Sequence, residues 1–345
     1  MTVLPLLVRY DDVQRRSLLL QRDGQVTMIG VDVDHRPVDN ADWPTVEAFD
    51  MAISARHSEL FVSATSFNEL LVYNSVTLQP AATLSVGAEA GTFAVACSPD
   101  GLWLAVAGGM EQIFLVDVQT RAVRAILPGG ERTFSLAFTA DSSRLVSACS
   151  YQGGATVRRH RIDLREPTLE REFARANVYS PPSMFVDTLT SVATDASGKW
   201  LALFETSAIY QEAHPRGWCG NLVLYNMSAA SLQWSVSIDA SIASALGDER
   251  VRRFPMGFRT EVRFFGSDAV ACGTPAGQIL VFNCEDATLL HTIGLFADSA
   301  VSSFISDPFR REIIAVSYDG AVGVCAFPDE QFRNGDGSAQ RRAIQ

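Results

Sequence analysis

Short apolar runs of five to seven residues, separated by polar turns, recur along almost the whole chain. The clearest stretch spans residues 93–129, with runs at 93–97, 102–108, 112–118 and 121–127. Runs of this length, rich in Val, Ala, Leu and Phe and bounded by turn residues, read as strands. The break between the first two is Ser98-Pro99-Asp100-Gly101. Proline presets one turn dihedral and glycine supplies a positive φ, so this is a tight turn with a mechanism.

The pattern returns with copies starting at Phe49, Phe134, Leu189, Glu261 and Val301, and the opening segment fits as a seventh. Aligning the first turn of each copy picks out Arg15, Ser58, Gly101, Ser142, Gly198, Gly266 and Arg311. The steps between them are 43, 43, 41, 56, 68 and 45 residues. Four of the six match the period of about 40–45 residues expected of a four-stranded propeller blade. The other two are the same unit with insertions. Almost no 3.6-residue periodicity is present, which excludes α/β architectures. The expected fold is all-β: a seven-bladed β-propeller of four-stranded blades over residues 1–330, followed by a disordered tail, 331–345. A ring of blades leaves only short, protected strand edges. The last unit shows three strands, and Thr2 to Leu6 is the expected source of its outer strand.

The chain resembles the WD-repeat family over about residues 4 to 330. The matching features are the Ser98-Pro99-Asp100-Gly101 turn, the Asp23-Gly24 and Asp319-Gly320 turns, and third strands ending in Val116-Asp117 or Ile162-Asp163. No third strand ends in Trp-Asp and no Gly-His pair opens a repeat, so the family's Asp-His-Ser-Trp network has no assigned counterpart. The resemblance implies a rigid platform that holds other proteins and needs no cofactor.

Composition narrows the partners. Hydrophobic residues make up 47% and charged residues 19% of 345, a globular composition. A net charge of −11 disfavours nucleic acid and anionic membranes and is expected to attract basic protein surfaces. Lys199 is the lone lysine, which reads as compositional bias. No apolar stretch reaches the length of a membrane-spanning helix, and the N-terminus lacks the basic start of a secretory signal. Cys97, Cys149, Cys219, Cys272, Cys284 and Cys325 are scattered and read as buried reduced thiols. The expected location is cytoplasmic or nuclear.

Catalytic signatures are sparse. There is no Gly-x-Ser-x-Gly elbow, phosphate loop or His-Glu-x-x-His. His35, His57, His160, His214 and His291 fall in different blades, and His214 with Glu212 and Cys219 forms the lone local cluster, read as an ordinary loop. No metal site and no enzyme activity is expected. One alternative is a small-molecule binder or lactonase-like hydrolase using the central channel. Phe309-Arg310-Arg311-Glu312 is similar to the Phe-Arg-Arg-Gly motif of phosphoinositide-binding propellers, a second alternative, but it sits in a first turn and reads as a solvated turn. Arg158-Arg159-His160-Arg161 reads as a charged blade flank.

The informative feature is where the insertions fall. Connections are usually about 4–6 residues, and much longer ones are often functional. Three long ones, residues 174–187, 205–221 and 239–258, surround the unit at 189–238. In a propeller they emerge on one face. They carry Tyr179, Met184, Phe185, Tyr210, His214, Trp218, Arg252, Arg253, Phe254, Met256 and Phe258, and aromatics with arginine dominate interface hot spots. Residues 241–254 are expected to form a short helix started by Ser241, with Ile242 and Leu246 on one side. Tyr179, Phe185, Tyr210, His214, Trp218, Arg252, Arg253, Phe254 and Phe258 are therefore the candidate partner-binding set, and the expected function is a non-catalytic interaction scaffold or adaptor.

Overall fold

A computed structural model describes residues 5–29, 46–151, 154–162, 167–175, 188–208, 218–246, 260–307, 310–327 and 341–343. The chain is all-β, and its seven antiparallel sheets are the blades of a seven-bladed β-propeller. It divides into two compact units, Met1–Ala176 and Asn177–Gln345.

The first unit holds four sheets. The first is three-stranded among the described residues: β1 (Pro5–Asp11), β2 (Arg16–Gln21) and β3 (Val26–Ile29). The second is β4 (Ala48–Ser54), β5 (Glu59–Ala64), β6 (Glu69–Asn74) and β7 (Pro80–Ser85). The third is β8 (Thr92–Cys97), β9 (Trp103–Gly108), β10 (Gln112–Asp117) and β11 (Ala122–Pro128). The fourth is β12 (Arg132–Phe138), β13 (Arg144–Tyr151), β14 (Gly154–Arg161) and β15 (Thr168–Arg175). The second unit holds β16 (Thr188–Thr194), β17 (Trp200–Ala208), β18 (Trp218–Asn226) and β19 (Ser231–Ser237), then helix α1 (Ile238–Leu246). It continues with β20 (Val262–Phe265), β21 (Ala269–Gly273), β22 (Gln278–Asn283) and β23 (Leu289–Gly294). It ends with β24 (Val301–Asp307), β25 (Glu312–Ser317), β26 (Val322–Ala326) and β27 (Arg341–Ala343).

Blade repetition is visible at the level of single dihedrals. All seven aligned turn residues adopt positive φ: Arg15, Ser58, Gly101, Ser142, Gly198, Gly266 and Arg311. Where the turn is tightest, a side chain at its first position closes it. The Ser98 hydroxyl donates to Asp100 at 2.6 Å and accepts from the Trp103 amide at 2.9 Å. Thr139 repeats this with Asp141 and Arg144, and the Asp195 carboxylate accepts from the Trp200 amide at 2.7 Å. Such local side-chain bonds satisfy backbone groups that the hairpin leaves over.

A second repeated device is a register shift near the start of the first strand. It falls between Pro5 and Leu7, Ala48 and Asp50, Thr92 and Val95, Thr133 and Ser135, Leu189 and Ser191, and Val301 and Ser303. A bulge sharpens the local twist and re-aims the side chain it carries. In the first unit the first strands of neighbouring blades pack together, β4 on β8 and β8 on β12, so these are the inner strands.

The core lies between blades. One cluster joins Phe61, Leu70 and Val72 of the second sheet to Leu104, Val106 and Phe114 of the third. In the second unit Phe204, Leu222 and Leu224 pack with Val270, Leu280 and Phe282. Each such side chain, fully buried, contributes roughly 1.5–3 kcal/mol. Buried aromatic polar tips are satisfied across blades: Tyr73 donates to the Gly24 carbonyl at 3.0 Å and Trp234 to the Cys284 carbonyl at 2.8 Å.

Three expectations are corrected. The outer strand of the last blade is supplied by Arg341–Ala343, which pairs with β26, and not by Thr2 to Leu6. Leu6 belongs to β1, whose Leu7 and Val8 are buried, as an inner strand requires; outer strands such as β11 are mostly exposed. Of the tail expected to be disordered, residues 341–343 therefore form a strand, and residues 331–340 and 344–345 lie outside the described residues. Helix α1 begins at Ile238, three residues before the expected start. Ser237 is its cap, its hydroxyl accepting from the Ala240 amide at 3.4 Å, while Ser241 donates back to the Ser237 carbonyl.

Candidate interaction surface

The predicted partner-binding residues Tyr179, Phe185, Tyr210, His214, Arg252, Arg253, Phe254 and Phe258, with Met184 and Met256, lie outside the described residues. Trp218 is placed as the first residue of β18. The flanks of the insertions are described. Strands β17 and β18 run on as a paired arm to Ala208 and Trp218, consuming both ends of the 205–221 insertion. The 239–258 insertion opens with α1, which packs on β18 and β19, and Ile238 is buried with Phe204 and Leu222. The second and third insertions thus leave the same end of this blade.

In the first unit a cluster forms that the sequence reading did not single out as a site. Phe49, Phe93 and Phe134 are the residues carried at the bulges of β4, β8 and β12. Their rings meet: Phe49 and Phe93 edge to face with centroids 5.6 Å apart, Phe49 and Phe134 stacked at 6.2 Å. All three remain half-buried. A period-2 pattern assigns each to a strand face; at the bulges the rings meet one another across blades, and Phe93 also packs against the core between the third and fourth sheets. The sequence signal that could have found them is the phenylalanine opening three consecutive repeats.

Beneath the cluster, buried Asp50 ties three inner strands together. It accepts from the Arg9 guanidinium at 2.7 Å, from its neighbour Met51 N–H at 3.0 Å and from Val95 N–H at 3.2 Å. Ser63 holds its backbone, accepting from Asp50 N–H at 3.1 Å.

Beside the cluster, β9 and β10 are joined by a turn in which Met110 and Glu111 both have positive φ, 62° and 60°. A hairpin turn of this kind normally takes Asn-Gly or Gly-Gly, and each non-glycine residue here costs about 1–2 kcal/mol. Met110 is 66% exposed. The turn is pinned on both sides, Gly109 N–H to the Gly91 carbonyl and Gly129 N–H to the Glu111 carbonyl at 2.7 Å. Gly91 and Gly129 lead into β8 and β12, the strands of Phe93 and Phe134. Asn68 fixes the loop ahead of β8, accepting from Gly91 N–H at 2.7 Å and donating to the Glu89 carbonyl at 3.4 Å.

Burial pushes the thiols of Cys97 and Cys272 far up, Cys284 to about 12 and Cys325 to about 11, so none is a thiolate at neutral pH. Cys97, Cys149, Cys272, Cys284 and Cys325 are free. His160 is fully buried with neither ring nitrogen hydrogen-bonded; burial first, then the charge of Arg158, lowers its pKa to about 4. Of its basic neighbours, Arg158 donates to the Gly129 carbonyl and Arg159 pairs with Glu170 at 3.1 Å. Arg310 reaches Asp307 at 3.8 Å and Arg311 occupies the left-handed turn position, while Phe309 lies outside the described residues. Among the described residues no group of three or more His, Cys, Asp or Glu is placed to hold a metal ion, and no helix is long and apolar enough to cross a membrane. Glu212 and His214 lie outside that set.

Compared with models of protein families and with the curated proteins, the sequence finds no match.

Proposed function

We propose that this propeller is a non-catalytic protein–protein interaction scaffold or adaptor of the WD-repeat type, acting in the cytoplasm or nucleus. The observation that carries the reading is the phenylalanine cluster. Three rings are held half-exposed on inner strands whose positions are fixed by the Asp50 ties and the blade cores. Apolar side chains on rigid elements are inexpensive binding anchors, because little ordering cost falls on their side of the interface. Large exposed apolar groups grouped in one place mark interaction sites more often than scattered ones do. The insertions around β16–β19, with Arg252, Arg253 and Phe254, are a second proposed surface of the same function.

The test is affinity capture from the native source with three chains: wild type, Phe49→Ala with Phe93→Ala, and Arg252→Ala with Arg253→Ala and Phe254→Ala. Each is first shown to fold by circular dichroism. A stable partner set on wild type that is lost on either variant supports the scaffold and names its surface. Wild type that holds no partner under gentle wash sinks the scaffold reading.

A further inference from the structure

The two ends of the blades in the first unit differ in charge. At the end where the inner strands begin, the described loops carry Arg22, Asp23, Glu47, Glu89, Glu111 and Glu131. These loops hold a single arginine among acidic residues, and Glu47, Glu89, Glu111 and Glu131 are exposed, with exposed Arg132 following Glu131 at the first position of β12. At the opposite end the loops carry Asp12, Arg15, Arg56, Asp100, Arg121 and Asp141, an even mixture. The phenylalanine cluster and Met110 lie at the acidic end. Glu47 precedes Phe49 by two residues, Glu89 precedes Phe93 by four, Glu131 precedes Phe134 by three, and Glu111 follows Met110. Each apolar anchor thus has an exposed carboxylate close by in the chain.

We infer that this face takes a linear segment of a partner protein bearing an aliphatic or aromatic anchor flanked by lysine or arginine. The inference rests on the scaffold reading and adds the partner's chemistry. The anchor packs on Phe49, Phe93 and Phe134, with exposed Met110 at the same end of the third blade, where methionine's flexible thioether adapts to varied shapes. The flanking cations meet Glu47, Glu89, Glu111 and Glu131 at the rim, where charge steers encounter and excludes acidic competitors more than it adds affinity. Arg22 and Arg132 are the exceptions at this end and favour a segment that passes on the side of β4 and β8. Such binding weakens as salt rises past the point where the screening length falls below the rim's dimensions.

The experiment selects a displayed library of random linear peptides on the intact chain. The selected set is then measured by fluorescence polarisation on Glu47→Arg with Glu89→Arg and Glu111→Arg, on Phe93→Ala, and on Asp12→Arg at the opposite end. The expected set is enriched in Lys and Arg around an apolar residue. It loses affinity at least about tenfold on the first two chains, an effect of hot-spot size, and keeps it on Asp12→Arg. The glutamates are exposed, so their variant keeps the fold even where Phe93→Ala does not. A set with no basic bias that still needs Phe93 overturns the inference and leaves the scaffold reading standing. A set that binds the glutamate variant as well as wild type overturns it equally. Native-source capture that yields no partner overturns the scaffold reading and this inference together.

Discussion

Replacing Asp50 by alanine should destabilise the protein by about 3–4 kcal/mol. Asp50 is 3% exposed and serves donors on three inner strands: Arg9 of β1, Met51 of its own β4 and Val95 of β8. Removing one member of a buried ion pair costs about 3–5 kcal/mol, because the other charge stays behind uncompensated. Leaving the Val95 N–H without an acceptor adds about 1–3 kcal/mol. Against this, Arg9 keeps some exposure, 16% of its side chain, and a bond to the Val8 carbonyl at 3.0 Å, which places the total at the lower end. Arg9→Met alone should cost only about 1–2 kcal/mol, since Asp50 retains two backbone donors. The pair should then be non-additive: in the Asp50→Ala chain the Arg9–Asp50 bond is already gone, so Arg9→Met removes no further part of it. Urea denaturation followed by tryptophan fluorescence gives the four corners of the cycle. A single-mutant cost for Asp50→Ala under about 0.5 kcal/mol, or additivity within about 0.5 kcal/mol, would refute the reasoning.

Acid should loosen the fold through His160. Its pKa is about 4 folded against 6.5 as an ordinary histidine, so below pH 6.5 the unfolded chain takes the proton first, and stability falls as pH drops from 6.5 to 4 by up to about 3 kcal/mol; His160→Leu should flatten that slope in melts taken across the range. Ser58→Gly should raise stability by about 1 kcal/mol, because Ser58 sits at φ 52°, where glycine carries no steric penalty. Gly101→Ala should lower it by more than that in thermal melts, since φ is 71° and a Cβ would stand 2.6 Å from the Arg56 Cβ. Met110→Asn with Glu111→Gly should stabilise the chain by about 1–2 kcal/mol by relaxing the left-handed pair, while weakening the partner captured by the wild type; unchanged capture would remove Met110 from the interface.

The fold was legible because propeller blades repeat their backbone, and the backbone leaves marks that do not depend on which apolar residue fills the core. The seven aligned turn positions hold Arg, Ser and Gly alike, yet all take positive φ. What aligned them was the pair of apolar runs on either side. The phenylalanine cluster was hidden for the converse reason. Phe93 and Phe134 read as the first residues of core strands, and a one-residue bulge that re-aims them has no signature in a hydrophobic pattern. Asp50 was hidden as well: an acidic residue in an apolar run looks like a solvent-facing position, and its three donors come from residues 9, 51 and 95. The outer strand of the last blade was misplaced because Arg341–Ala343 carries no apolar alternation at all; its pairing is decided by the open edge of β26. The insertion residues at 252–258 were chosen on composition; they lie outside the described residues, and the described flank before them ends with α1.

The bulges do two jobs with one geometric device. Each bends an inner strand so that the blade can twist against its neighbour, and each sets one side chain outside the regular pairing of the first two strands, while Leu6 and Phe93 still pack against the inter-blade core. In the second unit those places are taken by Thr190, which is buried, and Ser302, which donates to the Val316 carbonyl at 3.0 Å. Folding therefore does not demand a large apolar group there, since polar residues close the same bulge in sibling blades. Three consecutive blades of the first unit nevertheless carry phenylalanine, next to a turn that keeps Met and Glu where glycine would relieve strain. The Met110-Glu111 turn and the three half-buried rings lie at the same end of the first unit, where the described loops are mostly acidic. Under the proposed scaffold reading, contact with a partner accounts for the three together.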